Sequence, residues 1–217
     1  MPYWLEAVLD SFPYLLSGTL VTLEITVLAI FLGLLIGTFV GMARLSKKRW
    51  INTPATVYVE FIRGTPLLVQ IFIIYFGLPS LGIYIERFPA GILALGINSG
   101  AYVAEIVRAG IQSVSKGQYE AARSLGLSHW QAMRYVVLPQ AFRNILPALG
   151  NEFITLTKDS SLVSVIAIEE LLRRGTIAIS RTFQSFSVYS AVALLYFVMT
   201  FSLSRLVRWT EKRLEIP

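Results

Sequence analysis

The chain lacks cysteine altogether, and only 15% of its 217 residues are charged. Without cysteine it can form neither disulfides nor thiolate metal sites. Its single histidine, His129, cannot build a metal site by itself, so we interpret it as a solvated surface residue. Soluble domains are roughly 25% charged, whereas 55% of this chain is hydrophobic. A soluble core could not hide that much apolar surface, so we interpret the chain as a polytopic membrane protein.

The sequence also lacks the common signatures of nucleotide hydrolysis and of hydrolytic catalysis. It contains no G-x-x-x-x-G-K-[ST] loop, no H-E-x-x-H and no G-x-S-x-G. We therefore expect no enzyme in this chain. The net charge of +6 would suit a nucleic-acid partner, but basic residues in membrane proteins mark cytoplasmic loops. The basic residues here cluster between hydrophobic segments, so we expect a lipid membrane and no nucleic acid.

Five hydrophobic segments predict an all-α protein that forms one membrane domain over residues 1–217. A helix needs roughly 20 residues to cross a bilayer, and the five segments span about 15–42, 56–78, 90–111, 148–171 and 188–207. Basic residues follow the first segment and the last one, which predicts an external N-terminus and a cytoplasmic C-terminus. On this topology residues 112–147 form a cytoplasmic loop. Arg173, Arg174 and Arg181 fall in an outer loop, against the general trend.

One face of the first segment carries small residues, since Gly33, Gly37 and Gly41 recur at every fourth position. Such faces let two helices approach closely in lipid. We interpret these glycines as a packing surface and not as a substrate site.

The second and third segments contain polar or helix-breaking residues. Gly64, Thr65 and Pro66 loosen the second span, and interrupted spans are recurrent substrate sites in transporters. In the third span Asn98, Tyr102 and Glu105 share one helix face. We consider Gly64, Thr65, Pro66, Asn98 and Tyr102 to be candidate substrate-binding residues. The alternatives are a proline kink that only shapes packing, and an Asn and a Tyr that bond a neighbouring helix.

The fourth segment is the most polar crossing. Glu152, Thr155 and Asp159 lie on one helical stripe, with the two carboxylates about 10 Å apart along the axis. A charge at membrane depth costs roughly 2.5–3.5 kcal/mol on insertion scales, so these acids need partners or a polar cavity. They are candidate ligands for a substrate, together with Ser160 and Ser161. The alternative is an internal network in which Lys158 neutralises one acid.

A polar hairpin separates the third and fourth spans, at 118–139. Gly126 suits the left-handed turn after a helix. Ser128 can cap the next helix, and Gln131 completes a capping box. Pro139 cannot continue that helix from inside. The pattern predicts helix, glycine turn, and a second helix that closes at Leu138-Pro139.

The hairpin resembles the EAA loop of membrane subunits of ABC importers, because Glu120-Ala121-Ala122, Gly126 and Leu138-Pro139 match that loop in register. Val136 stands where the family has Ile. Two further runs, RGTPLLVQ at 63–70 and KDSSL at 158–162, resemble the branch that takes up polar amino acids. The resemblance extends from about Gly18 to Val207.

This resemblance implies a type I importer fold with an ATPase-coupling role for Glu120, Ala121, Ala122, Gly126, Leu138 and Pro139. It implies a second permease subunit, identical or different, two ABC ATPases, and an extracytoplasmic amino acid-binding protein. ATP and Mg would belong to the ATPases, with no cofactor in this chain. The resemblance also implies that the protein lies in a prokaryotic plasma membrane and crosses it several times.

The resemblance therefore implies ATP-driven import of polar amino acids by alternating access. We expect a cationic substrate, arginine, lysine or histidine, because Glu152 and Asp159 suit a guanidinium or an ammonium. Glutamine or glutamate remains an alternative within the same family. An ion-coupled secondary transporter and a non-transporting scaffold subunit are alternatives of other classes.

Overall fold

The computed structural model describes residues 3–214, which form α-helices with short π and 3₁₀ turns and contain no strand. The helices are α1 (Tyr3–Arg44), α2 (Arg49–Gly64), α3 (Leu67–Phe72), α4 (Arg87–Gln112), α5 (Lys116–Ser124), α6 (His129–Ala132), α7 (Leu138–Asp159), α8 (Leu171–Thr182) and α9 (Ser185–Leu214). Turns of π-helix occupy Ile73–Gly77 and Met133–Val137, and turns of 3₁₀-helix occupy Leu78–Leu81 and Ser160–Ile166.

Helix α1 is the longest element and packs along α4. Its 42 residues extend about 63 Å at 1.5 Å per residue, roughly twice the thickness of the hydrocarbon core. The helix therefore contains the predicted first span and continues beyond it at its N-terminal end. A β-carbon on Gly37 would lie 2.5 Å from the Val103 side chain and 2.7 Å from the Gly100 carbonyl oxygen of α4. The predicted role of these glycines in close helix packing is confirmed.

The main core lies where α1, α3, α4, the end of α7 and the 3₁₀ turn Ser160–Ile166 meet. Ile25, Ile71, Leu95, Leu156 and Val163 are buried there. A second cluster joins Leu15 of α1, Leu171 of α8 and Val192 and Met199 of α9. The long hydrophobic helices thus hold the shorter and more polar ones in place.

Three helices in the described part of the chain are long and apolar enough to cross a membrane: Leu5–Arg44, Arg87–Gln112 and Ser185–Arg213. A fourth crossing exists if Arg49–Gly64 and Leu67–Leu81 count as one span, although the two parts are bent by 105°. The prediction of five spans is therefore supported for three or four of them. Helix α7, the remaining predicted crossing, contains Glu152, Lys158 and Asp159 and does not meet the same criterion.

Two details of the predicted helices are wrong. The fourth predicted span was expected to be helical through residue 171, but α7 ends at Asp159 and the chain continues as a 3₁₀ turn. Ala167 then adopts a left-handed conformation with φ 60° and ends that turn.

The hairpin helix does not close at Leu138-Pro139 either. The π turn Met133–Val137 leads directly into α7, and the Leu138 N–H donates to the Met133 carbonyl five residues back. Pro139 lies at the first turn of α7, where a missing N–H is tolerated. The wider π turn lets the chain stay helical past the proline.

Candidate functional site

The break between α2 and α3 is real, and a side chain satisfies its free backbone groups. Thr65 and Pro66 have extended backbones, with φ/ψ of −116°/143° and −62°/135°. The Gln70 amide nitrogen donates to the carbonyl oxygens of Ile62 at 2.8 Å and Thr65 at 3.1 Å. Gln70 thus stabilises the interruption that Gly64 and Pro66 create. The sequence interpretation missed it, although a Gln in an apolar run four residues after a Pro is an available signal.

Asn98 of α4 binds Gln70, the residue that stabilises this break. Its buried side chain donates from Nδ2 to the Gln70 Oε1 at 3.0 Å. This is the predicted alternative, in which the amide bonds a neighbouring helix. Tyr102 differs, because its ring is partly exposed and lies 5.2 Å from the Arg63 guanidinium carbon.

The acidic stripe on α7 has one polar partner from α4. The Ser99 hydroxyl donates to Glu152 Oε1 at 2.7 Å. Among the described residues, no basic nitrogen lies within 4.0 Å of either Glu152 or Asp159, and Lys158 forms no salt bridge. Pairing of Lys158 with one of these acids, the alternative expectation, is therefore not seen within this subunit.

The remaining residues of the predicted stripe have different environments. Thr155 is exposed and Asp159 is half-buried. Ser160 is buried and its hydroxyl donates to the Thr157 carbonyl at 2.8 Å, whereas Ser161 is half-buried.

A cavity of 390 Å³ brings together the end of α2, the polar face of α4 and the first acid of α7. It is lined by Arg63, Tyr102, Glu105, Ile106, Ala148 and Glu152, among others. Asn98 and the segment Gly64–Pro66 do not line it, and neither do Thr155, Asp159, Ser160 or Ser161. The structure therefore unites two of the predicted site residues, Tyr102 and Glu152, and adds Arg63 and Glu105.

Glu105 is the centre of an ion-pair cluster that joins three helices. It accepts hydrogen bonds from Arg44 of α1 and from Arg108 of its own helix. Arg63 of α2 lies 3.9 Å from Glu105 Oε2. The sequence pattern placed Glu105 on a polar face but gave no indication of these partners, which come from distant parts of the chain.

The hairpin has the predicted turn and cap. Gly126 has φ 86°, and its N–H donates to Arg123 O while the Leu127 N–H donates to Ala122 O, at 3.1 and 3.2 Å. These two bonds define a Schellman C-cap. Ser128 and Gln131 form the predicted capping box.

Within the hairpin, Ala122 is buried, whereas Glu120, Ala121, Leu138 and Pro139 are exposed. Three large apolar side chains are also strongly exposed, Leu125 at 84%, Trp130 at 70% and Tyr135 at 69%. Exposed apolar patches of this kind mark interaction surfaces. No group of three or more His, Cys, Asp or Glu side chains within residues 3–214 could hold a metal ion.

Comparison with known proteins gives the class of this chain. Residues 11–216 match the family of binding-protein-dependent transport system inner membrane components. The glutamine transport system permease protein GlnP of Escherichia coli (strain K12) is 44% identical over 214 residues, which cover 97% of each chain. The arginine transport system permease protein ArtQ of Bacillus subtilis (strain 168) is 40% identical over 97% of this chain and 96% of the relative.

A solved structure of an amino acid transporter also matches this chain closely. The crystal structure of an amino acid ABC transporter with histidines matches with a TM-score of 0.91 and 50% identity, over 95% of this chain and 96% of that one. The chain belongs to the polar amino acid ABC transporter permeases, within the family of binding-protein-dependent inner membrane components.

The predicted family, membrane location and type I importer fold are therefore confirmed. The chain is a multi-pass permease subunit of the bacterial inner membrane and not the ATPase. Membership implies that an ATPase and a binding protein act with it. The named relatives divide between glutamine and arginine.

Proposed function

We propose that this permease imports cationic amino acids, arginine, lysine or histidine, by alternating access. Two permease subunits, identical or different, would pair across a pore axis. Two ATPases would bind their hairpins and hold ATP and Mg, with no cofactor in this chain. An extracytoplasmic binding protein would deliver the amino acid.

The observation that carries this proposal is the contrast between the acids of the membrane region. Glu105 is compensated by Arg44 and Arg108. Glu152 and Asp159 have no cation within 4.0 Å among the described residues. Carboxylates away from water need a compensating charge, and a cationic substrate supplies one. Charge-assisted hydrogen bonds to a guanidinium or ammonium are among the stronger ones in proteins.

Glutamine is the competing substrate, and one contact favours it. Ser99 already donates to Glu152, which satisfies part of this carboxylate without a cation. A glutamine amide also donates hydrogen bonds to acids. Relatives named for both amino acids match almost the whole chain, so their names support either substrate.

The hairpin supports the coupling part of the proposal. Its exposed Leu125, Trp130 and Tyr135 offer an apolar surface, and the capped turn at Gly126 holds two short helices at a fixed angle. A rigid projection transmits the movement of an ATPase to the membrane helices. Glu120, Ala121, Ala122, Gly126, Leu138 and Pro139 would form or support this contact.

The substrate proposal is tested by uptake into proteoliposomes that contain the permease with its co-purified ATPase and binding protein. Labelled arginine, histidine, glutamine and glutamate are compared at equal concentration, with and without ATP on the hairpin side. The proposal predicts ATP-dependent uptake in which arginine or histidine exceeds glutamine. A preference for glutamine or glutamate would replace the cationic assignment, and uptake driven by an ion gradient without ATP would contradict the importer mechanism.

A further inference from the structure

Arg63 is a cation with unused hydrogen-bond donors. A guanidinium has five N–H donors, yet among residues 3–214 Arg63 makes no side-chain hydrogen bond. Its contacts are a long ion pair to Glu105 at 3.9 Å and the ring of Tyr102 at 5.2 Å. These contacts orient the group without satisfying it.

Glu105 does not neutralise Arg63 fully, because two other arginines bind the Glu105 carboxylate more directly. Arg44 and Arg108 both donate hydrogen bonds to Glu105. The side chain of Arg63 is 42% exposed, compared with 13% for Arg44. Three arginines around one carboxylate leave an excess of positive charge, and Arg63 presents that excess at the surface of the cluster.

The excess charge faces a space that has an acid on another wall. Arg63, Tyr102 and Glu152 line the same 390 Å³ cavity. Neither Arg44 nor Arg108 lines it. The cavity therefore carries one cation and one anion that lack strong partners of opposite charge.

Helix α4 contacts both of these charged side chains. Ser99 of α4 donates to Glu152, and Glu105 of α4 lies 3.9 Å from Arg63. Ser99 and Glu105 are six positions apart, about 9 Å along the axis of α4. Tyr102 lies halfway between. An α-amino acid carries a carboxylate and an ammonium on one carbon, and these are the two groups that a guanidinium and a carboxylate on the walls of one cavity would bind through charge-assisted hydrogen bonds.

We propose that Arg63 binds the α-carboxylate of the transported amino acid and that Glu152 binds its α-ammonium. This inference rests on the proposed function. The cavity would then recognise the part that arginine and glutamine share. The side chain would be recognised elsewhere, and Asp159, about 10 Å further along α7, is the acid available for a second cationic group.

The test is binding of labelled arginine to the purified complex of permease and ATPase, without the binding protein. Unlabelled arginine and agmatine, which is arginine without its carboxyl group, compete for the site. Because agmatine lacks the carboxylate that Arg63 would bind, the wild type should prefer arginine roughly tenfold or more. Arg63→Gln should abolish this preference, and Arg63→Lys, which keeps the charge without the bidentate fork, should keep part of it.

Arg108→Gln is the matched control. It removes an arginine that also binds Glu105 but does not line the cavity, so it should retain the preference for arginine over agmatine. If Arg63→Gln keeps the wild-type preference for arginine over agmatine, the assignment is overturned. If the Gln variant does not assemble, an unchanged preference in Arg63→Lys overturns it instead. Wild-type complex that binds neither arginine nor glutamine would refute the proposed function as well.

Discussion

Replacement of Gly126 by valine should uncouple ATP hydrolysis from uptake. The residue has φ 86°, and a β-carbon there would meet no heavy atom within 4 Å. The cost of a side chain is therefore backbone strain alone, about 1–2 kcal/mol for an L-residue in the left-handed region. That is a factor of about 5–30 in the population of the capped turn. The hairpin would lose its fixed angle, because the Schellman bonds of Gly126 and Leu127 require this conformation.

The assay compares ATP hydrolysed with amino acid transported in proteoliposomes, together with the amount of ATPase that co-purifies. Gly126→Val should transport several-fold less amino acid per ATP. Gly126→Asn is the matched variant, because asparagine adopts the left-handed conformation more readily than other residues with a side chain, and it should stay close to wild type. Normal coupling in the valine variant would refute the reasoning, and so would equal damage in both variants.

Two further predictions concern the stability of the detergent-solubilised complex, measured as its thermal unfolding midpoint. Gly37→Leu should lower the midpoint, because its side chain would overlap Val103 and overpacking typically costs about 1–3 kcal/mol. Gly117→Ala is the control and should leave the midpoint unchanged, since its β-carbon would lie 3.6 Å from the nearest atom, Ser115 Oγ. Equal midpoints in the two variants would contradict this prediction. Glu170→Gln should also lower the unfolding midpoint. Both oxygens of the buried Glu170 carboxylate accept hydrogen bonds, from two backbone N–H groups and from Tyr196. The amide NH2 of Gln cannot accept, so one buried donor would be left unmatched at a cost of about 1–3 kcal/mol. Tyr196→Phe should have a smaller effect, and the reverse order would exclude the role of Glu170 as the N-cap of α8.

The local features of this fold were predictable because their causes are local. The turn at Gly126, the capping box at Ser128 and the interruption at Pro66 each depend on residues within a few positions. The glycine stripe of α1 was predictable for a similar reason, since its spacing alone places it on one face.

The predictions that were wrong concern how helices continue or end. Pro139 was expected to close a helix, but a π turn upstream widens the backbone and α7 begins through the proline. A similar π turn, Ile73–Gly77, precedes Leu78-Pro79. The residues around each proline do not indicate a π turn, because the rest of the helix and its packing determine whether the helix continues past the proline.

The candidate site was predictable only in part because its partners are far apart in sequence. The stripe of Glu152 and Asp159 follows from helical periodicity. The bond from Ser99 to Glu152 and the cluster of Arg44, Arg63 and Glu105 join residues on different helices. Only the folded arrangement shows that Glu105 is compensated while Glu152 is not.

The most direct test of a cationic site on α7 is ATP-dependent uptake of arginine and glutamine by Glu152→Gln and Asp159→Asn beside wild type. Each variant removes a charge while keeping the side chain nearly the same size. We predict that arginine uptake falls in either variant while the ATPase activity stays intact, and that Asp159→Asn affects arginine more than glutamine. Normal arginine uptake in both variants would contradict the account and would make the acidic stripe a structural feature.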